Sequence, residues 1–131
     1  MRRQPATGLL QMTVKPRKIL VVDDNSMVCE ALKLMLEFDE HFVETAAGGL
    51  EALAKMQAWH FDLVLTDYFM PGMSGAELAD TIQKQNSSTP IIMLTASYPK
   101  DLLVKVERVL EKPCSLETLR KAIEQVLDLK Q

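Results

Sequence analysis

The chain has 131 residues, 47% of them hydrophobic and 25% charged, with a formal net charge of −3 and a pI of about 5.4. That length suits one compact domain, and the acidic balance argues against a nucleic-acid partner, which needs a basic face. The apolar runs, such as "IIML" at 91–94, are too short to span a bilayer. Cys29 and Cys114 follow no metal spacing and suggest no disulfide framework. The sequence therefore reads as a reduced, cytoplasmic protein whose cysteines are small buried side chains.

Residues 1–16 contain Pro5, Gly8 and Pro16, show no period and lack the long apolar segment of a secretory signal. They read as a flexible leader, with one domain over 17–131. "KILVV" (18–22) is a continuous apolar run, the pattern of a strand buried on both faces. Residues 26–38 set Met27, Val28, Ala31, Leu34, Met35 and Phe38 at helical spacing, with Asn25 or Ser26 as cap. "HFVETA" (41–46) is a shorter, more polar strand suited to an edge, and "LEALAKMQ" (50–57) follows as a helix. "FDLVLTD" (61–67) is a buried strand ending on an aspartate. "MPGMSG" (70–75) is a turn-rich loop in which Met70 and Met73 read as packing. Ser74 and Glu77 form a capping box for the next helix. "PIIMLT" (90–95) is a fourth strand, "VERVL" (106–110) a fifth, and Ser115 caps a final helix with Leu116, Leu119, Ile123, Val126 and Leu127 on one face. His41 and His60 read as surface or strand-edge residues.

This alternation implies an α/β fold: a doubly wound, five-stranded parallel sheet with helices on both faces. In such sheets the working crevice lies outside the carboxyl ends of the strands. The first strand ends in Asp23 and Asp24, the third in Asp67, the fourth in Thr95, and the fifth ends near Lys112. Three carboxylates gathered there repel one another unless a cation joins them, and hard oxygen ligands suit Mg²⁺. A lysine and a threonine hydroxyl at the same edge are groups that engage a phosphoryl oxygen, and a carboxylate can itself take a phosphoryl group covalently. Each residue alone has a plainer reading: the aspartate pair as a helix cap, Asp67 as a turn residue, Thr95 as a strand end and Lys112 as a solvated lysine.

The motifs "VVDDN", "TDYFMPGMSG", "PIIMLTA" and "EKP", in that order, resemble the receiver domain of two-component response regulators, over roughly residues 17–130. The resemblance implies the flavodoxin-like strand order 2-1-3-4-5 and a cis Lys112–Pro113 peptide. It implies Asp67 as phosphoacceptor, with Mg²⁺ held by Asp24, by Asp23 largely through water, by Asp67 and by the Phe69 carbonyl. Thr95 and Lys112 would contact the phosphoryl group. The donor would be a phosphohistidine on a sensor histidine kinase or histidine phosphotransfer protein, and the output an unknown protein effector reached by a monomer or a phosphorylation-dependent dimer. Such a domain is no enzyme beyond its own phosphotransfer and autodephosphorylation.

The chain departs from the family in three places. The segment from Thr95 to Lys112, with Pro99 inside it, is short, so the fourth helix should be shortened or irregular. Val109 stands where the family often has an aromatic switch, and Tyr98 is a candidate substitute. Phe69 is apolar where many members are polar. The competing readings are a pseudo-receiver, binding partners without phosphorylation, and a magnesium phosphohydrolase. The latter class uses an acid/base aspartate at the position that Phe69 fills. A nucleotide or flavin site is disfavoured by the glycine-free, acidic loop "DDNSM".

Overall fold

The computed structural model describes residues 15–85, 88–97 and 106–128. The strands are β1 (Lys18–Val22), β2 (Phe42–Ala46), β3 (Leu63–Asp67), β4 (Ile91–Thr95) and β5 (Arg108–Glu111). The described helices are α1 (Ser26–Phe38), α2 (Gly49–Ala58), α3 (Gly75–Gln85) and α4 (Leu116–Asp128). All four strand pairings are parallel, in the order β2-β1-β3-β4-β5. The expected topology is therefore the observed one. The leader (apart from Lys15 and Pro16), the helix expected after Thr95 and Tyr98 lie outside the described residues.

The buried strands feed two separate cores by simple alternation. Ile19, Val21, Leu63, Leu65, Ile92 and Leu94 join Leu119 and Ile123 of α4 and Leu32 and Leu36 of α1. Leu20, Val22, Val64 and Ile91 point the other way, toward Ala52 of α2 and Leu78 and Ile82 of α3. Continuous apolar runs were needed because both faces of the sheet are covered. β2, with Glu44 and Thr45 only half-buried, is the edge strand its mixed composition suggested.

Two expectations are corrected. The buried stripe of α1 is Cys29, Leu32 and Leu36, flanked by Val28 and Met35, whereas Met27, Leu34 and Phe38 are exposed. This helix is apolar on nearly every side, so periodicity leaves its phase open, and the sheet decides. His41 is buried, not superficial. Its Nδ1 accepts the Arg17 N–H at 3.0 Å, and its Nε2 has no hydrogen-bond partner. The chain reaches it through a helix end in which His41 N–H bonds Leu36 O and Glu40 N–H bonds Glu37 O, with Glu40 left-handed at φ 68°. Asp39, in the same turn, takes both Arg120 Nε and Nη2 at 2.8 Å, tying the end of α1 to α4.

Candidate functional site

Parallel strands bring their carboxyl ends to one edge, and the acidic residues follow. One carboxylate oxygen from each of Asp23, Asp24 and Asp67 lies within 4.8 Å of the others. Asp23 and Asp67 are buried and Asp24 is exposed. The helix-cap explanation for the pair fails locally, because Asn25 does the capping: its Oδ1 accepts the N–H groups of Met27 and Val28 at 2.9 and 3.3 Å. Asp23 instead accepts Asn25 N–H on Oδ1 at 2.9 Å and Lys112 Nζ on Oδ2 at 2.8 Å.

Lys112 also stands 3.4 Å from Asp67 Oδ1, so one ammonium faces two buried carboxylates. Burial lowers the Lys112 pKa, but Asp23 and Asp67 outweigh it, and the net direction is up. Asp67 is raised from the ordinary carboxylate range, first by burial and then by the charge of Asp23, with Lys112 and the Tyr68 N–H pulling it back. The Tyr68 N–H donates to Asp67 Oδ1 at 2.8 Å. Lys112–Pro113 is cis.

The loop after β3 is held against Asp67. Ser74 and Glu77 exchange bonds at 2.9 and 3.1 Å, the capping box the sequence suggested. Gly75 N–H bonds Tyr68 O at 2.8 Å, and a Cβ on Gly75 would overlap the Asp67 carbonyl oxygen. A glycine is required there by close approach rather than by torsion. Met70 is buried and Met73 packs on the α2/α3 core. The Phe69 side chain is 63% exposed and meets Tyr68 edge-on.

Thr95 sits at the end of β4, fully buried, beside Lys112, whose N–H bonds the Thr95 carbonyl at 2.8 Å. Its hydroxyl is engaged elsewhere, donating to Ser97 O at 3.2 Å and accepting Ser97 N–H at 3.4 Å. Asp23, Asp24, Asp67 and Lys112 are thus brought into one cluster, and Thr95 adjoins it with its hydroxyl turned to the following loop. Val109 is half-buried on β5, and His60 is exposed.

Two supporting side chains carried weak signals in the sequence. Thr66 is a polar residue inside an apolar strand, and its hydroxyl donates to the Asp67 carbonyl at 3.0 Å. Cys29, buried in the first turns of α1, directs its thiol to Asp23 O at 3.3 Å, and its pKa is raised mainly by burial. Cys114 is half-buried, with its pKa also raised by burial.

Comparison with known proteins decides the family. The sequence model of the response regulator receiver domain matches residues 19–124. The chain belongs to that family. As a receiver domain it is 35% identical over 123 residues to the sensor histidine kinase AruS of Pseudomonas aeruginosa, covering 87% of this chain and 12% of that protein. It is 43% identical over 79 residues to the transcriptional regulatory protein ResD of Bacillus subtilis, covering 60% of this chain and 32% of ResD. The chain therefore spans a third or less of these curated relatives. Among solved structures, the chemotaxis protein CheY4 of Vibrio cholerae superposes with a TM-score of 0.81 at 36% identity, over 86% of this chain and 100% of that one. TrrA of Thermotoga maritima, solved in complex with Mg²⁺ and BeF, superposes with a TM-score of 0.79 at 36% identity, over 85% and 99%. Among the described residues, no helix is long and apolar enough to cross a membrane.

Proposed function

We propose that this receiver domain accepts a phosphoryl group from a phosphohistidine onto Asp67, in a Mg²⁺-dependent reaction that switches a partner-binding surface. The observation that carries the reading is the convergence of Asp23, Asp24 and Asp67 with Lys112 between two of them. Three hard oxygen donors this close fit a divalent ion, and the relative TrrA holds Mg²⁺ with BeF. Asp23, Asp24, Asp67 and the Phe69 carbonyl would hold the ion, which when bound offsets the negative charge that a carboxylate and a phosphoryl donor bring together.

The chain's own residues supply the rest. An Asp67 carboxylate oxygen forms the new O–P bond while the P–N bond of the donor breaks. The imidazole nitrogen leaves with the electron pair and takes a proton from solvent. Lys112 Nζ, already 3.4 Å from Asp67 Oδ1, pairs with the incoming phosphoryl oxygens. The Thr95 hydroxyl, bound to Ser97 in this state, exchanges that bond for one to the phosphoryl group, so the segment after β4 registers the modification. Phe69, where an acid/base aspartate would stand in a phosphohydrolase, cannot transfer a proton. On this reading the donor is a sensor histidine kinase or a histidine phosphotransfer protein, and the domain works in the cytoplasm.

Incubation with Mg²⁺ and acetyl phosphate, followed by intact mass, tests the proposal. One stable phosphoryl adduct, lost in Asp67→Asn, supports it. No adduct at all points to a pseudo-receiver, and rapid multiple turnover points to a hydrolase.

A further inference from the structure

We propose that Gly49 is a positioning residue for the divalent-ion site, acting through Met73. The inference rests on the metal-binding reading above and extends it to a residue that supplies no ligand. Gly49 is buried at the start of α2, immediately after β2. Its backbone is not left-handed; among the described glycines Gly72 alone has positive φ. Torsional freedom is therefore not what the position requires. A Cβ there would overlap Met73 Sδ and lie 2.9 Å from Met73 Cγ and 3.0 Å from its Cβ. At the adjacent Gly48 a Cβ would meet nothing within 4 Å. The room at position 49 is filled by one side chain.

Met73 belongs to the loop that follows Asp67 and carries Phe69. The strand order places β1 between β2 and β3. A contact from the β3 loop to the residues after β2 therefore spans past β1, on the side of the sheet that α2 and α3 cover. Met73 also packs on the core that contains Ala46, Ala52 and Met70, so its position is anchored. The loop's far end is fixed by the Gly75-to-Tyr68 hydrogen bond and the close approach of Gly75 to Asp67. A loop pinned at both ends presents the Phe69 carbonyl in one place. A methyl group at 49 pushes Met73 outward and moves that carbonyl while leaving all three carboxylates in the sequence. Groups behind metal ligands commonly set affinity, and changing them costs roughly 10–100-fold.

The test titrates Mg²⁺ by calorimetry into the parent chain, Gly48→Ala, Gly49→Ala, Met73→Ala and the double variant Gly49→Ala/Met73→Ala. Melting temperatures in chelator are recorded alongside. Gly49→Ala should bind Mg²⁺ about tenfold more weakly and Gly48→Ala like the parent. Met73→Ala should also weaken binding, and the double variant should bind more tightly than Gly49→Ala because the overlap is relieved. A purely structural role would lower the melting temperature of Gly49→Ala and leave its affinity within about twofold of the parent. That outcome overturns the proposal, as does a double variant no better than Gly49→Ala. If Gly49→Ala does not fold, Met73→Ala decides, and parent-like affinity there overturns it. A parent that binds no Mg²⁺ defeats the metal reading itself, whereas a binding parent with unchanged variants defeats this inference alone.

Discussion

Replacing Lys112 by methionine keeps the length of the side chain and removes its charge. In the parent, that charge lies 2.8 Å from Asp23 Oδ2 and 3.4 Å from Asp67 Oδ1. The Asp23 side chain is 3% exposed and that of Asp67 10%, so neither carboxylate recovers its hydration when the lysine is lost. Removing one partner of a fully buried ion pair costs about 3–5 kcal/mol. Lys112 is itself 23% exposed, and solvent at the mouth of the site screens part of the repulsion, which reduces the expected loss to about 2–3 kcal/mol. For a domain of this length that is about 8–12 °C in melting temperature. Added Mg²⁺ supplies the missing positive charge, so it should raise the melting point of the variant more than that of the parent. Differential scanning calorimetry at neutral pH, in chelator and in excess Mg²⁺, reads both quantities. A variant melting within about 2 °C of the parent in chelator would show that the lysine does not hold these carboxylates, and the electrostatic account of the site would be wrong.

If Asp67 carries an acyl phosphate as proposed, Phe69 offers no group to orient a hydrolytic water beside it. Phe69→Asn, which does, should lose its phosphoryl group severalfold faster, and equal dephosphorylation rates would refute that role. His41 has its pKa lowered, first by burial and then by Arg17, with Asp39 opposing. A basic group depressed in the folded state contributes stability that is complete above its unfolded value, about 6.5, and is lost as pH falls below that toward the folded value. His41→Asn keeps an acceptor for Arg17 N–H and does not titrate, so its urea-unfolding free energy should fall less between about pH 7 and pH 5 than the parent's. Parallel curves would exclude His41 as the source of the slope. Glu40 pays a steric cost for its left-handed backbone, so Glu40→Gly should stabilise the domain by about 1 kcal/mol in the same denaturation assay, and a loss of stability would contradict this.

Much of this molecule was readable from residue order. Continuous apolar strands, the Ser74–Glu77 box and the polar ends of the strands fixed the layers and the edge where acidic groups meet, because parallel geometry leaves few other arrangements. What escaped reading depends on contacts between distant segments. The phase of α1 could not be read because Met27, Leu34 and Phe38 are as apolar as the residues that are buried. His41 lies in a short polar connection, and its burial follows from a reversal made at Glu40 without the glycine that usually marks one. The Thr95 hydroxyl could be placed at the edge, but its bond to Ser97 depends on side-chain rotation, which spacing does not encode. Gly49 directly precedes a helical run in the sequence, and its fit against Met73 emerges only when two loops are folded together.

The alternation of β1 has a mechanical consequence. Val21 serves the layer under α1 and α4, and Val22 serves the layer under α2 and α3. Among the described residues these layers share no buried side chain, so strain in one is transmitted to the other chiefly through the peptide planes of the strands. Asp23 and Asp24 follow directly, on the seam where both compartments end. A change of charge at that seam therefore bears on two otherwise insulated halves at once.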